Sequence, residues 1–373
     1  MDFSLTLEQN VLKETFTEFL SKECPFDVIR EIKTSDEGYS KKTWRKMADL
    51  GWMGLGFEEK YGGSEGSFLD LFILFEEIGK VLLPSPLFTS AVMSGLLLSE
   101  AGSEEQKGKY LPRIINGKQI FTVALLDGKG RTLPTVPETV AIKNDAGDYT
   151  VSGSYLLVPY VNVSDHIFFI ADIRNAPSGG PTIFMATPSS KELTFSAVDT
   201  ITDEKKYAIR FDNVTIPAKN IIGGIGQGDF HLKRMLSKAI VIKCAEMIGG
   251  FNQAMDMTVA YAAKRKQFGV PIGKFQAIQH YCADMAIDLK GAQLMAYQAA
   301  SMMSEGIACE KEVAMAKAWC SDTYRKATQI CQQIHGGVGF TDEFNIGLFY
   351  KHAKECELMF GHSKIHRSKV AYG

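Results

Sequence analysis

YAAKRKQFGVPIGKFQAIQH, Tyr261–His280, is where one long helix stops and the next begins. Apolar residues recur at helical spacing over about 231–263 on one side and about 275–304 on the other. Between them stand Gly269, which lacks a Cβ, and Pro271, which cannot extend a helix from within. A further amphipathic run over about 310–335 follows, so the C-terminal block reads as a helical bundle around a shared apolar face.

Moving toward the N-terminus, GGIGQGD (Gly223–Asp229) leads into that block. It superficially suggests a dinucleotide loop, but no βαβ unit surrounds it, so it reads as a linker. Before it, QIFTVALL, DYTVSGSYLLV, HIFFIA, PTIFMAT, LTFSAV and YAIRFDNVTI are short β-branched and aromatic runs broken by Gly, Pro, Asn and Asp, the texture of a β domain. The first third is helical again: Leu5, Val11, Leu12, Phe16, Phe19 and Leu20 share a 3.6-residue rhythm, and Leu69–Val81 and Ala91–Glu100 behave alike. The expected organisation is α+β: an N-terminal helical domain over 1–118, a middle β domain over 119–225 and a C-terminal helical bundle over 226–373.

Composition narrows the function. At 373 residues and 45% hydrophobic content the chain can build two or three substantial cores. A formal charge of −2 without a long basic run gives no reason to expect nucleic acid or an anionic membrane as partner. No apolar run approaches a membrane span, and MDFSLTLEQ carries acids where a secretory signal has a basic region. Seven scattered cysteines without a C-x-x-C pair argue against a disulfide framework or a zinc site and suit a reducing cytoplasm.

Three motifs carry a resemblance. LGWMGLGFEEKYGG (Leu50–Gly63), the 261–280 stretch and QIHGGVGFTDE (Gln333–Glu343) stand in an order and at separations that resemble the acyl-CoA dehydrogenase family from end to end. Each has a physical reading of its own. Arg265 offers paired charge-assisted bonds to a pyrophosphate, Gln267 a polar edge and Phe268 an aromatic face, while Gly336 and Gly337 let backbone approach a ligand. Alone, the first set would read as a basic helix end and the second as a helix cap. The resemblance implies a middle domain that is β-barrel-like, a C-terminal four-helix bundle and FAD as cofactor. It also implies that Arg265, Gln267, Phe268, Gln276, Gln333, Gly336 and Gly337 contact the adenosine and pyrophosphate of a neighbouring subunit's FAD.

Other family positions are altered. The Thr-Glu-Pro strand motif resembles Leu126, Asp127 and Gly128 with a poor continuation through Arg131, and the Trp-Ile-Thr/Ser that serves the flavin ring appears as Leu157, Val158 and Pro159. Pro159 has no N–H or hydroxyl to give, and Leu157 has no indole. In YKHAKECELMFGHSKIH (Tyr350–His366) the family's catalytic glutamate is Phe360, and the alternative position on the first long C-terminal helix is Ala239.

Abstracting an α-proton from a thioester needs a carboxylate at the carbon with its pKa raised by a dry site. Glu246, in KCAEMIGG, lies seven residues beyond Ala239, on roughly the same helix face about 10 Å away. It is the first candidate, although a buried glutamate paired with Lys or Arg is the more ordinary reading. His362 and His366 could ligate a metal if helical, but lack a third ligand, and Asp127 and Glu343 fit loop and helix-end roles better.

Groups lent to a neighbour persist while groups used at home are replaced. A partner chain is implied, and the chain also looks similar to the small subunits of heteromeric acyl-CoA dehydrogenases. The expected function is a component of an FAD-dependent enzyme performing α,β-dehydrogenation of an acyl-CoA, with a homologous large subunit supplying the base and electron-transferring flavoprotein as acceptor. Two other readings stay open: a homotetramer with Glu246 as relocated base, and a non-catalytic acyl-CoA-binding scaffold.

Overall fold

A computed structural model describes residues 5–132, 137–174 and 179–372. Among the described residues six α-helices precede the sheet: α1 (Leu7–Glu23), α2 (Phe26–Thr34), α3 (Lys41–Asp49), α4 (Phe68–Val81), α5 (Leu96–Ala101) and α6 (Glu104–Ile115). Five follow it: α7 (Gly228–Lys264), α8 (Gln276–Ser304), α9 (Glu310–His335), α10 (Ile346–Leu358) and α11 (Ser363–Tyr372). The chain divides into two compact units, one made of Met1–Arg30, Ser67–Leu83 and Ile240–Gly373, the other of Glu31–Gly66 and Pro84–Ala239.

The first unit is helical. Its helix starts are legible in local chemistry: Thr6 with Gln9 and Ser67 with Asp70 form reciprocal capping boxes at α1 and α4, satisfying N–H groups that the first turn leaves open. α9 is central, with α8, α10 and α11 packed on it, while α4 lies against α1 and α8. α4 and α7 touch backbone to backbone. A Cβ added at Gly249 would stand 1.8 Å from the Glu76 carbonyl oxygen, and one at Gly79 would stand 2.1 Å from that of Glu246. This contact fixes the height of Glu246 on α7.

The second unit is built on nine strands: β1 (Phe121–Ala124), β2 (Leu126–Asp127), β3 (Val140–Lys143), β4 (Tyr149–Pro159), β5 (His166–Arg174), β6 (Gly180–Ala186), β7 (Leu193–Val198), β8 (Lys206–Ile216) and β9 (Ile221–Ile222). Their order is β7-β8-β4-β3-β5-β6-β9, with β1 on β5 and β2 on β4. β1 and β3 both run parallel to β5 and occupy different lengths of it, Phe121–Ala124 against His166–Phe169 and Val140–Ile142 against Asp172–Arg174. The other pairs are antiparallel.

The expectation of a β-barrel-like domain is corrected here: the sheet is open. Closure requires the two edge strands to pair, and β7 and β9 stand at opposite ends of the order with no pairing between them among the described residues. Alternating apolar residues report which strand faces are buried but carry no information on closure. The sheet does curl. Phe169 on β5 and Phe211 on β8 are not on neighbouring strands, yet their rings lie 4.5 Å apart, inside a core with Tyr149, Tyr155 and Phe184.

Candidate functional site

α7 ends where the sequence places its stop. The Arg265 N–H still donates to the Tyr261 carbonyl at 2.8 Å, and the chain then turns through a hairpin that pairs Lys266–Gln267 (β10) with Val270–Pro271 (β11). Phe268 and Gly269, at its tip, have φ of +53° and +80°. A non-glycine residue in this region is uncommon, and here the turn presents the Phe268 ring to the outside, 90% exposed, with an edge contact to Phe275 at 6.1 Å.

The same end of the bundle receives the second motif. Tyr261 stacks on His335 with ring centroids 4.3 Å apart, and burial lowers the His335 pKa, keeping the imidazole neutral. α9 ends at Gly336, φ +64°, and nothing lies within 4 Å of a Cβ built at Gly336 or Gly337. Gln276, Gln333, Gly336 and Gly337 are exposed, as are Arg265 and Gln267. Among the described residues Arg265 has no ion pair. An unpaired guanidinium, an offered aromatic face and open glycine backbone fit a pyrophosphate and a purine ring.

The segments expected at the flavin ring lie together in the other unit. Leu126 and Asp127 pair with Leu156 and Tyr155, and the β4–β8 register slips between Tyr155 and Val158, so that Leu157 takes φ +54° and stands 41% exposed. Their polar groups are committed elsewhere. The Asp127 carboxylate accepts from the Lys129 N–H (3.0 Å), the Arg131 N–H (2.8 Å) and Arg131 Nε (2.9 Å), and the Pro159 carbonyl accepts from Thr122 Oγ1 (2.7 Å). Burial raises the Asp127 carboxyl, but Arg131 and those N–H groups outweigh it and the pKa is lowered. Asp127 ties a loop. The adenosine half of FAD therefore finds fitting groups on this chain, whereas the ring half finds no hydroxyl or N–H at Pro159.

At the base position Phe360 has φ +60°, and its carbonyl accepts from His366 Nε2 at 3.0 Å. Burial drives the His366 pKa down to about 4, so the ring is neutral and donates. The preceding turn of α10 is held from α9, where Lys317 Nζ donates to the carbonyls of Cys356 (2.9 Å) and Glu357 (3.3 Å). The buried Glu357 carboxylate takes Arg325, Lys354 and His362. His362 and His366 thus turn to different partners and do not share a ligand position. Ala239 is buried on α7, and Glu343 is exposed.

Glu246 sits in a polar cluster that the sequence only half announces. Lys243, one turn back, reaches Oε2 at 2.5 Å; His352 Nε2 meets Oε1 at 2.7 Å and Cys356 Sγ at 3.3 Å; Tyr324 Oη lies 3.1 Å from His352 Nδ1. Burial alone would raise the Glu246 carboxyl, but the Lys243 and His352 cations outweigh it and hold it at about 2. Burial opposes charge on His352 too, yet Cys356 and Glu246 lift it to about 10. The missed residues are His352 and Cys356; their i,i+4 spacing in YKHAKEC put them on one helix face, but nothing local pointed that face at Glu246.

Comparison with known proteins gives the family. The family description "Acyl-CoA dehydrogenase, N-terminal domain" matches residues 6–118, and "Acyl-CoA dehydrogenase, C-terminal domain" matches residues 232–373. The chain is 29% identical to the acryloyl-CoA reductase (NADH) of Anaerotignum propionicum, over 100% of this chain and 95% of that protein. It is 27% identical to the caffeyl-CoA reductase-Etf complex subunit CarC of Acetobacterium woodii, over 98% and 97% of the two chains. A chain in the ChsE4-ChsE5 complex from Mycobacterium tuberculosis shares the fold, with a TM-score of 0.90 at 24% identity over 100% of this chain and 98% of that one. The chain belongs to the acyl-CoA dehydrogenase superfamily. It is a component of an FAD-dependent oxidoreductase acting on CH–CH bonds of acyl-CoA. No helix among the described residues is long and apolar enough to cross a membrane.

Proposed function

We propose that this chain is the supporting subunit of a heteromeric acyl-CoA dehydrogenase: it lends its adenosine grip to the FAD of a homologous large subunit, and that partner supplies the catalytic base. The observation that carries the reading is the contrast between two sets of groups. Arg265, Gln267, Phe268, Gln276, Gln333, Gly336 and Gly337 are exposed at one end of the bundle, while the base position holds Phe360.

When bound, FAD accepts the hydride from the β-carbon of the thioester. This chain's part is to hold charge and shape. Arg265 neutralises pyrophosphate oxygens, Phe268 covers the adenine, and the open backbone at Gly336 and Gly337 admits close approach. Phe360 offers an apolar surface where a carboxylate would otherwise stand, and the proton goes to a carboxylate of the partner. Glu246 already accepts from two cations and is held far below the range a general base needs near neutral pH.

Exposed apolar residues on α8, Ile287 and Leu294, suit a face covered by another subunit. Electron-transferring flavoprotein is the proposed acceptor, consistent with the name of the CarC relative. The seven free thiols suit the cytoplasm. FAD content decides between readings: the chain purified alone is expected to carry little FAD, and co-expression with a large subunit to restore it. A yellow homotetramer with one FAD per chain would favour a self-sufficient enzyme, and a stable assembly that never takes up FAD would favour a scaffold.

A further inference from the structure

The Glu246 cluster has a composition that neither the cofactor grip nor the base position requires. We propose that Glu246, His352 and Cys356 form a largely buried three-ligand site for a borderline-soft divalent cation of the zinc class. His352 and Cys356 are four residues apart on α10 and so share a helix face, and Glu246 reaches them from α7. Their donor atoms, Oε1, Nε2 and Sγ, all lie within 4.8 Å of one another.

The surroundings prepare each ligand. Tyr324 engages His352 Nδ1 at 3.1 Å, which leaves Nε2 as the nitrogen turned to the cluster, the arrangement in which the second ring nitrogen of a metal-bound histidine is anchored by a neighbour. Lys243 occupies Oε2 of Glu246 and leaves Oε1 to the imidazole. The close α4–α7 contact at Gly79 fixes the Glu246 backbone.

Zinc bonds of about 2.0–2.3 Å at tetrahedral angles place donor atoms roughly 3.3–3.6 Å apart. The Nε2–Sγ pair, at 3.3 Å, is close to that spacing, the Nε2–Oε1 pair, at 2.7 Å, must open by about 0.6 Å, and the Oε1–Sγ pair, within 4.8 Å, must come to the same range. One thiolate and one imidazole select zinc over magnesium or calcium, which take oxygen ligands. Water would fill the fourth position.

On binding, His352 would coordinate through a neutral imidazole and Cys356 through a thiolate, any proton they carry passing to solvent as the dication enters. No oxidation or reduction is involved. The site would staple α7 to α10, and it rests on the reading in which the partner, and not Glu246, supplies the base.

The test is a Co²⁺ titration of the chelator-stripped full-length chain. The expected result is saturation at one equivalent with a thiolate-to-cobalt band in the near ultraviolet, bleached by added Zn²⁺, abolished in Cys356→Ser with helicity intact, and shifted to at least about tenfold weaker binding in His352→Gln. If Cys356→Ser does not fold, Glu246→Gln takes its place, keeping the band but weakening cobalt by a similar factor. No band at one equivalent, a band undiminished in a folded Cys356→Ser chain, or unchanged affinity in both His352→Gln and Glu246→Gln would overturn the site.

Discussion

Glu246 is held by Lys243 on one oxygen and His352 on the other, and that double hold sets what the residue can do. Its folded pKa of about 2 lies below the ordinary 4.5, so its stabilising contribution is complete above pH 4.5 and drains away as pH falls toward 2. The His352 pKa of about 10 lies above the ordinary 6.5, so its contribution is complete below pH 6.5 and is lost as pH rises through 10. In metal-free protein the stability gap between wild type and His352→Gln should thus be widest near pH 4.5–6.5, where both groups are charged, at roughly 3–5 kcal/mol for a broken buried pair. It should narrow toward pH 10, as followed by denaturant unfolding. Glu246→Gln should leave turnover of the assembled enzyme within a few-fold, its cost appearing as stability. Lys243 was legible at i−3 in KCAEMIGG. His352 was not, because 106 residues separate it from Glu246 and only the packing of α10 against α7 joins them.

Among elements, the α7–α8 junction follows directly from GVP and from the helical rhythm on either side. The sheet follows less completely: strand composition gives β4, β5, β6 and β8, while the parallel seating of β1 and β3 on β5 and the open edges depend on long-range pairing that alternation does not encode. The α4–α7 crossing is a second such case, since Gly79 and Gly249 look like ordinary helix glycines until their backbones meet. Gly249→Ala should overpack that contact and cost about 1–3 kcal/mol, visible as a lowered Tm. The β10–β11 hairpin holds the cofactor prediction. Arg265→Ala should weaken FAD retention in the assembled enzyme by about 10–100-fold, the scale of a lost charged hydrogen-bond pair, without changing Tm of the stripped protein. Equal FAD retention in mutant and wild type would remove Arg265 from the grip.

For the whole molecule the account requires a second chain, because a grip facing outward at 265–268 and 333–337 acts only on something seated outside this subunit. Light scattering should find the isolated chain oligomeric at micromolar concentration; a monomer would contradict the α8 face as a subunit contact. The most direct measurement is anaerobic single-turnover bleaching of flavin by a panel of acyl-CoA thioesters, made on the isolated chain after FAD reconstitution and on the enzyme with its large subunit. The account predicts no bleaching by the isolated chain, and bleaching by the complex that survives Glu246→Gln here but vanishes when the partner's catalytic glutamate is removed. An FAD-loaded homotetramer of this chain that bleaches on its own, and loses about 10² or more of that rate in a folded Glu246→Gln variant, would contradict it.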